Sequence, residues 1–131
     1  MKIGIIVAKF NNEITEKMLF EAEKVLNEKG ANYEIERVPG AFEIPLIAQR
    51  MAKLKEYDAL ITLGCVIKGE TDHYDMVCRA CVDGISKVML KHDLPIAFEV
   101  LMVDSIKKAE ARIGRGRDAA EVAIFMAETQ I

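Results

Sequence analysis

The chain reads as an α/β protein, a doubly wound three-layer α/β/α sandwich around a four-stranded parallel sheet. Three observations predict this. Strand-length apolar runs alternate with stretches of helical periodicity, in the order β-α-β-α-β-α-β-α, and strands separated by helices pair in parallel through right-handed crossovers. The first run is nearly continuous rather than alternating, as in strands covered on both faces. Finally, 131 residues, 51% hydrophobic and 30% charged, fill one core and are too few for two ordinary domains. A single domain over residues 1–131 is expected.

The elements follow in order. Ile3 to Ala8 is the first strand. From Thr15 to Lys29 the residues Met18, Leu19, Ala22, Val25 and Leu26 fall on one helical face, and Gly30 stops the helix. Asn32 to Val38 alternates weakly and reads as a strand nearer the sheet edge. Pro39-Gly40 breaks it, and Pro45 suits the first turn of a helix running to Leu54. Tyr57 to Val66 is the third strand, Asp72 to about Leu90 the third helix, and Ile96 to Val103 the fourth strand after Pro95. A short helix over Asp104 to Ala111, a glycine-broken bend at Gly114 and Gly116, and a helix from Asp118 to Glu128 complete the chain.

Composition excludes several functions. Lys and Arg number 18 against 21 Asp and Glu, a net charge of −3, so no overall field draws the chain to nucleic acid or an anionic membrane. The basic run Lys107, Lys108, Arg112, Arg115 and Arg117 is diluted by Asp104, Glu110 and Asp118 and reads as a solvated face, one or two of whose arginines could clamp a phosphate. No apolar stretch approaches the ~20 residues of a membrane helix, and the first strand is too short for a leader's apolar region. A cytoplasmic protein is expected. The three cysteines form no disulfide framework. Cys78 and Cys81 share a helical face, whereas His73 points about 140° from Cys78. A fourth ligand is missing as well, so the pair reads as core and no metal is expected.

In a sheet of this kind the ligand lies beyond the carboxyl ends of the strands. The richest such segment is Gly64-Cys65-Val66-Ile67-Lys68-Gly69-Glu70-Thr71-Asp72-His73. It leaves a buried strand and enters a helix capped by Thr71 or Asp72. The free amides of a helix start favour an anion, which a hydroxyl and Lys68 would strengthen. His73 stands in the first turn, where an imidazole beside a phosphate can shuttle protons. Phe10 and Phe42 close two other strand ends, and two aromatics at one rim suit a flat heterocycle. Each residue also has a plainer reading: His73 on the surface, Phe42 in the core, Glu43 as a helix-start charge.

Taken together, these segments resemble the lumazine synthase family over essentially the whole chain. Val7-Ala8-Lys9-Phe10-Asn11 with Ile14-Thr15 resembles the family's opening strand and loop, Val38 to Pro45 its second motif, and Gly64 to Thr71 with His73 its third. The resemblance implies a flavodoxin-like fold and a cofactor-free condensation. In that reaction a 5-amino-6-ribitylaminopyrimidinedione attacks the ketone of 3,4-dihydroxy-2-butanone 4-phosphate, the imine eliminates phosphate, and ring closure with loss of water gives the lumazine.

The same resemblance implies residue roles. Phe10 stacks on the pyrimidine; Ala41, Phe42 and Glu43 line the ribityl side; the backbone of Cys65, Val66 and Ile67 reads the heterocycle edge. Glu70 and Thr71 lie in the phosphate loop and His73 transfers protons. A neighbouring subunit supplies Phe98 and the phosphate-binding Arg112, with Arg115 a further basic residue nearby. The partners implied are small-molecule substrates, further copies of the chain in a pentamer, decamer or sixty-subunit shell with sites at subunit interfaces, and riboflavin synthase. Two segments depart from the family's wording. Arg112 to Gly116 is shorter than its usual glycine-rich stretch and lacks Asn-Lys-Gly, and the start lacks a segment that in many relatives adds a strand to a neighbour's sheet. A pentamer is therefore expected. The rivals are an archaeal-type riboflavin synthase, a non-catalytic flavin or lumazine carrier, and a flavodoxin-like receiver or electron carrier. The receiver lacks its acidic cluster here, because Lys9-Phe10 stands at the first strand end.

Overall fold

The computed structural model describes residues 1–129 and 131. Among these, β1 (Lys2–Ala8), β2 (Asn32–Val38), β3 (Ala59–Ile67) and β4 (Ile96–Val103) form one sheet in the order β2-β1-β3-β4, with every neighbouring pair parallel. The helices are α1 (Asn12–Glu28), α2 (Ile44–Leu54), α3 (His73–His92), α4 (Ile106–Glu110) and α5 (Arg115–Glu128). This is the α/β/α sandwich that the sequence predicts, with β2 at one edge and β4 at the other.

Each face of the sheet has its own core. On one side Ile14, Met18 and Ala22 of α1 and Ala119, Ala120 and Ala123 of α5 meet Ile3, Ile5, Val7, Ile61 and Leu63. On the other, Ile44 and Ala48 of α2 and Cys81 and Ile85 of α3 meet Ile6, Ala8, Leu60 and Val100. Successive residues of a strand point to opposite faces, so β1 feeds both cores and tolerates no polar residue from Ile3 to Ala8. Each fully buried isoleucine or leucine contributes roughly 1.5–3 kcal/mol, and this double layer holds the strand ends in place. Cys78 and Cys81 are both buried on the inner face of α3, as their spacing predicts.

The boundaries differ from expectation in informative ways. α1 begins at Asn12 rather than Thr15, because Asn11 turns the chain into the helix from a left-handed conformation (φ 61, ψ 43). Tyr57 lies before β3 rather than within it, and its hydroxyl donates to Glu34 at 3.3 Å. A 3-10 turn over Ala41–Glu43 precedes α2.

The expected break falls at Gly114, in the turn of residues 111–114 that separates α4 from α5, but not at Gly116. Consecutive short-range bonds, Arg115 N–H to Arg112 O, Gly116 N–H to Ile113 O and Arg117 N–H to Gly114 O, carry α4 into α5. Gly116 is buried inside α5, where a Cβ would stand 2.0 Å from the carbonyl oxygen of Met18. The glycine lets two helices touch; it does not break one.

Candidate active site

The chain winds from β1 outward to β2, while β3 lies on the other side of β1. Beyond the carboxyl ends of β1 and β3 the connections therefore diverge and leave a crevice. A cleft of about 560 Å³ occupies this place. Phe10 and Asn11 line it after β1, Pro39 to Glu43 after β2, and Cys65 to Ile67 at the end of β3. Gly69, Thr71, His73, Tyr74 and Val77 line the turn into α3 and its first turns.

Backbone bonds shape the rim. Lys9 N–H donates to Val38 O at 2.8 Å and Phe10 N–H to Pro39 O at 2.9 Å, which continues the β1–β2 ladder past both strands. Phe10 and Phe42 are thereby held at the mouth with 71% and 60% of their surface exposed. Aromatics left so bare at a cleft are available to a planar ligand or a partner. Glu43 Oε1 accepts from Gly40 N–H at 3.0 Å and closes the turn; its second oxygen is left for a ligand.

The floor is neutral. Cys65 is buried in β3, and burial pushes its thiol up to about 11, so it is neither thiolate nor nucleophile near neutrality. His73 is the first residue of α3, and its N–H donates to Thr71 Oγ1 at 3.3 Å. Of the two expected caps, Thr71 makes the bond and Asp72 makes none. Tyr74, half-buried beside His73, has its phenol pushed up mainly by burial and also by the nearby Cys78.

The remaining predicted residues stand elsewhere. Lys68 and Glu70 are exposed on the loop after β3 and do not line the cleft. Phe98 is in the middle of the edge strand β4, 36% exposed. Arg112 and Arg115 line a separate shallow depression with Asp118. Arg112 Nη1 donates to Lys108 O at 3.0 Å, and Arg115 Nη1 lies 3.9 Å from Glu99 Oε1. Burial pushes the Glu99 carboxyl up while Arg115 pulls it down. One chain therefore gathers the aromatics, the strand edge and the histidine, and carries its arginines and Phe98 outside its own cleft.

The family model described as 6,7-dimethyl-8-ribityllumazine synthase matches residues 1–130. A protein of Leuconostoc mesenteroides subsp. mesenteroides that bears this name is 43% identical over 132 residues, covering 97% of this chain and 85% of its own. This chain belongs to the 6,7-dimethyl-8-ribityllumazine synthase family.

Sequence reasoning missed two members of this lumazine synthase cleft, Tyr74 and Val77. Both were legible in principle: they lie one and four residues after His73, within the first turns of a helix that starts at the cleft. Asn11 was located at a strand end but given no task. Chemically, the lumazine synthase cleft offers two apolar plates, peptide groups on a strand edge, and an imidazole at a helix start. No helix among the described residues is long and apolar enough to cross a membrane.

Proposed function

We propose that the chain condenses 5-amino-6-(D-ribitylamino)uracil with 3,4-dihydroxy-2-butanone 4-phosphate to 6,7-dimethyl-8-ribityllumazine. Phosphate and water leave, no cofactor takes part, and the step is the penultimate one of riboflavin biosynthesis. A single observation carries the reading. The cleft at the β1/β3 crevice holds Phe10, Phe42, the Cys65–Ile67 backbone and His73 together, in a chain that the family matches from residue 1 to 130.

In this reading Phe10 stacks on the pyrimidine, and the Cys65–Ile67 backbone recognises its edge through the peptide groups that neither β4 nor Asn11 occupies, those of Ile67 foremost. Ala41, Phe42 and the free oxygen of Glu43 take the ribityl chain. The amine attacks the ketone, water leaves as the imine forms, elimination then expels phosphate, and the ring closes with loss of a second water. His73 moves protons in these steps, and Thr71, Glu70 and the first turn of α3 sit beside the departing phosphate. A departing phosphate must have its charge held as it leaves, and Arg112 supplies that charge, assisted by Arg115 or Lys68. Holding the two substrates together supplies much of the remaining acceleration.

By the family resemblance Arg112 and Phe98 serve the cleft of a neighbouring copy, within a pentamer, and their place outside the cleft of their own chain supports this reading. Exposed apolar side chains on α2 and α3 (Leu46, Met76, Val82 and Leu90) support such an assembly, since bare patches of this kind mark contact surfaces. The working compartment is the cytoplasm. The deciding assay supplies both substrates and follows lumazine absorbance together with released phosphate. Equal amounts of both are expected. Tight lumazine or flavin binding with neither product would replace the enzyme by a carrier.

A further inference from the structure

The reaction above leaves Asn11 without a task, although the connection from β1 to α1 and the end of β3 meet there. Its backbone is left-handed (φ 61, ψ 43). Its carbonyl accepts the N–H groups of Ile14 and Thr15 at 2.9 and 3.1 Å, which starts α1. Its side-chain Nδ2–H donates to the carbonyl oxygen of Cys65 at 2.7 Å, across 54 positions of sequence.

The last of these bonds fills a gap in the sheet. β1 pairs with β3 only as far as Val7–Leu63, while β3 and β4 pair on to Ile67–Val103. Leu60 N–H and Lys68 N–H both donate to β4-side carbonyls, those of Pro95 and Val103. Backbone groups of alternate residues point to opposite neighbours, so the even-numbered positions of β3 face β4. Cys65 and Ile67 face the side where β1 has ended. Asn11 occupies the first of these two places with a side chain instead of a strand, and the peptide groups of Ile67 stand next in line, towards the cleft.

We propose that Asn11 is a positioning residue, a side-chain rung that fixes the exposed edge of β3 and sets Phe10 at the spacing that a flat heterocycle needs. The proposal rests on the reading of this cleft as the pyrimidine site. Few residues can do this. Glycine accepts the left-handed turn but has no side chain, and aspartate accepts it but turns only acceptors towards a carbonyl. Asparagine combines tolerance of the turn with a short donor.

The test compares Asn11→Asp and Asn11→Gly with the wild-type protein. Both replacements accept the turn, so melting temperatures close to wild type are expected and establish that each variant folds. In the unliganded protein, exchange of the Phe10 and Lys68 amides, bonded to Pro39 O and Val103 O, is expected to quicken by about tenfold, the scale of one lost charge-free hydrogen bond. Amides of the β1–β3 centre should not change. The KM for the pyrimidine is expected to rise by a similar factor of about ten, with the KM for the butanone phosphate within about twofold of wild type. Unchanged exchange at both amides, an Asn11→Asp variant that behaves as wild type, or equal losses for both substrates would each overturn the proposal. A wild-type chain that turns over neither substrate refutes the reaction instead, and the exchange comparison then still decides whether Asn11 holds the edge.

Discussion

At His73 the fold places an imidazole on the first residue of a helix, next to Thr71 and at the edge of the cleft. In the proposed reaction, alanine there removes the proton relay and leaves the rim aromatics and the strand edge intact. Turnover of His73→Ala is expected to fall by about a hundredfold, with the product lumazine bound almost as tightly as by wild type. Steady-state kcat and a fluorescence titration separate the two quantities, and a proportionate loss of binding would contradict the relay. The buried thiols make a different prediction. Burial pushes Cys65 up to about 11 and Cys81 up to about 12, from an ordinary value of 9.0. Above pH 9 the unfolded chain releases these protons while the native chain keeps them, so unfolding is favoured increasingly as pH rises. Their contribution to stability is whole below pH 9 and is lost as pH climbs through the native values. Scanning calorimetry from pH 8 to pH 11 should show Tm falling more steeply for wild type than for Cys81→Ala. Parallel slopes would mean that Cys81 titrates normally.

At the scale of elements, the contact between α1 and α5 is the most exposed to a single change. A Cβ at Gly116 would meet Met18 O at 2.0 Å, Met18 C at 2.7 Å and Met18 Cα at 2.9 Å, and all three atoms are backbone and cannot rotate aside. Gly116→Ala is expected to destabilise the chain by about 2–3 kcal/mol, the range of overpacked cores, measured as a lower urea midpoint at an unchanged slope. The same glycine shows where the sequence stops being legible. Every strand and every long helix could be read from periodicity, because burial on two faces or on one stripe writes itself into the spacing of Ile, Leu, Val and Ala. Gly116 could not, because glycine marks a turn locally and a close approach only through a helix distant in sequence. The early start of α1 was hidden for a related reason: a left-handed Asn11 is stabilised by Cys65, 54 positions away. In the site, His73, Thr71 and the two rim aromatics were legible from strand ends, while the distance of Arg112 and Phe98 from that cleft became visible only in three dimensions.

At the scale of the whole molecule, a cleft that holds His73 and lacks Arg112 makes a prediction that no single chain can satisfy. Arg112→Ala alone should raise the KM for the butanone phosphate by about tenfold or more, and His73→Ala alone should be nearly inactive. Each variant keeps what the other has lost. Refolded together in equal amounts, they should recover activity at about a quarter of the sites, those with an intact histidine on one copy and an intact arginine on the next. Activity no greater than the sum of the separate variants would place the arginine with its own chain. Gly116 seats α5 against Met18, and the turn of residues 111–114 that leads into α5 carries Arg112. In the proposed assembly, one residue inserted between Arg112 and Gly116 should displace the guanidinium while α5 keeps its seat on Met18, which a raised KM for the butanone phosphate at an unchanged melting temperature would register.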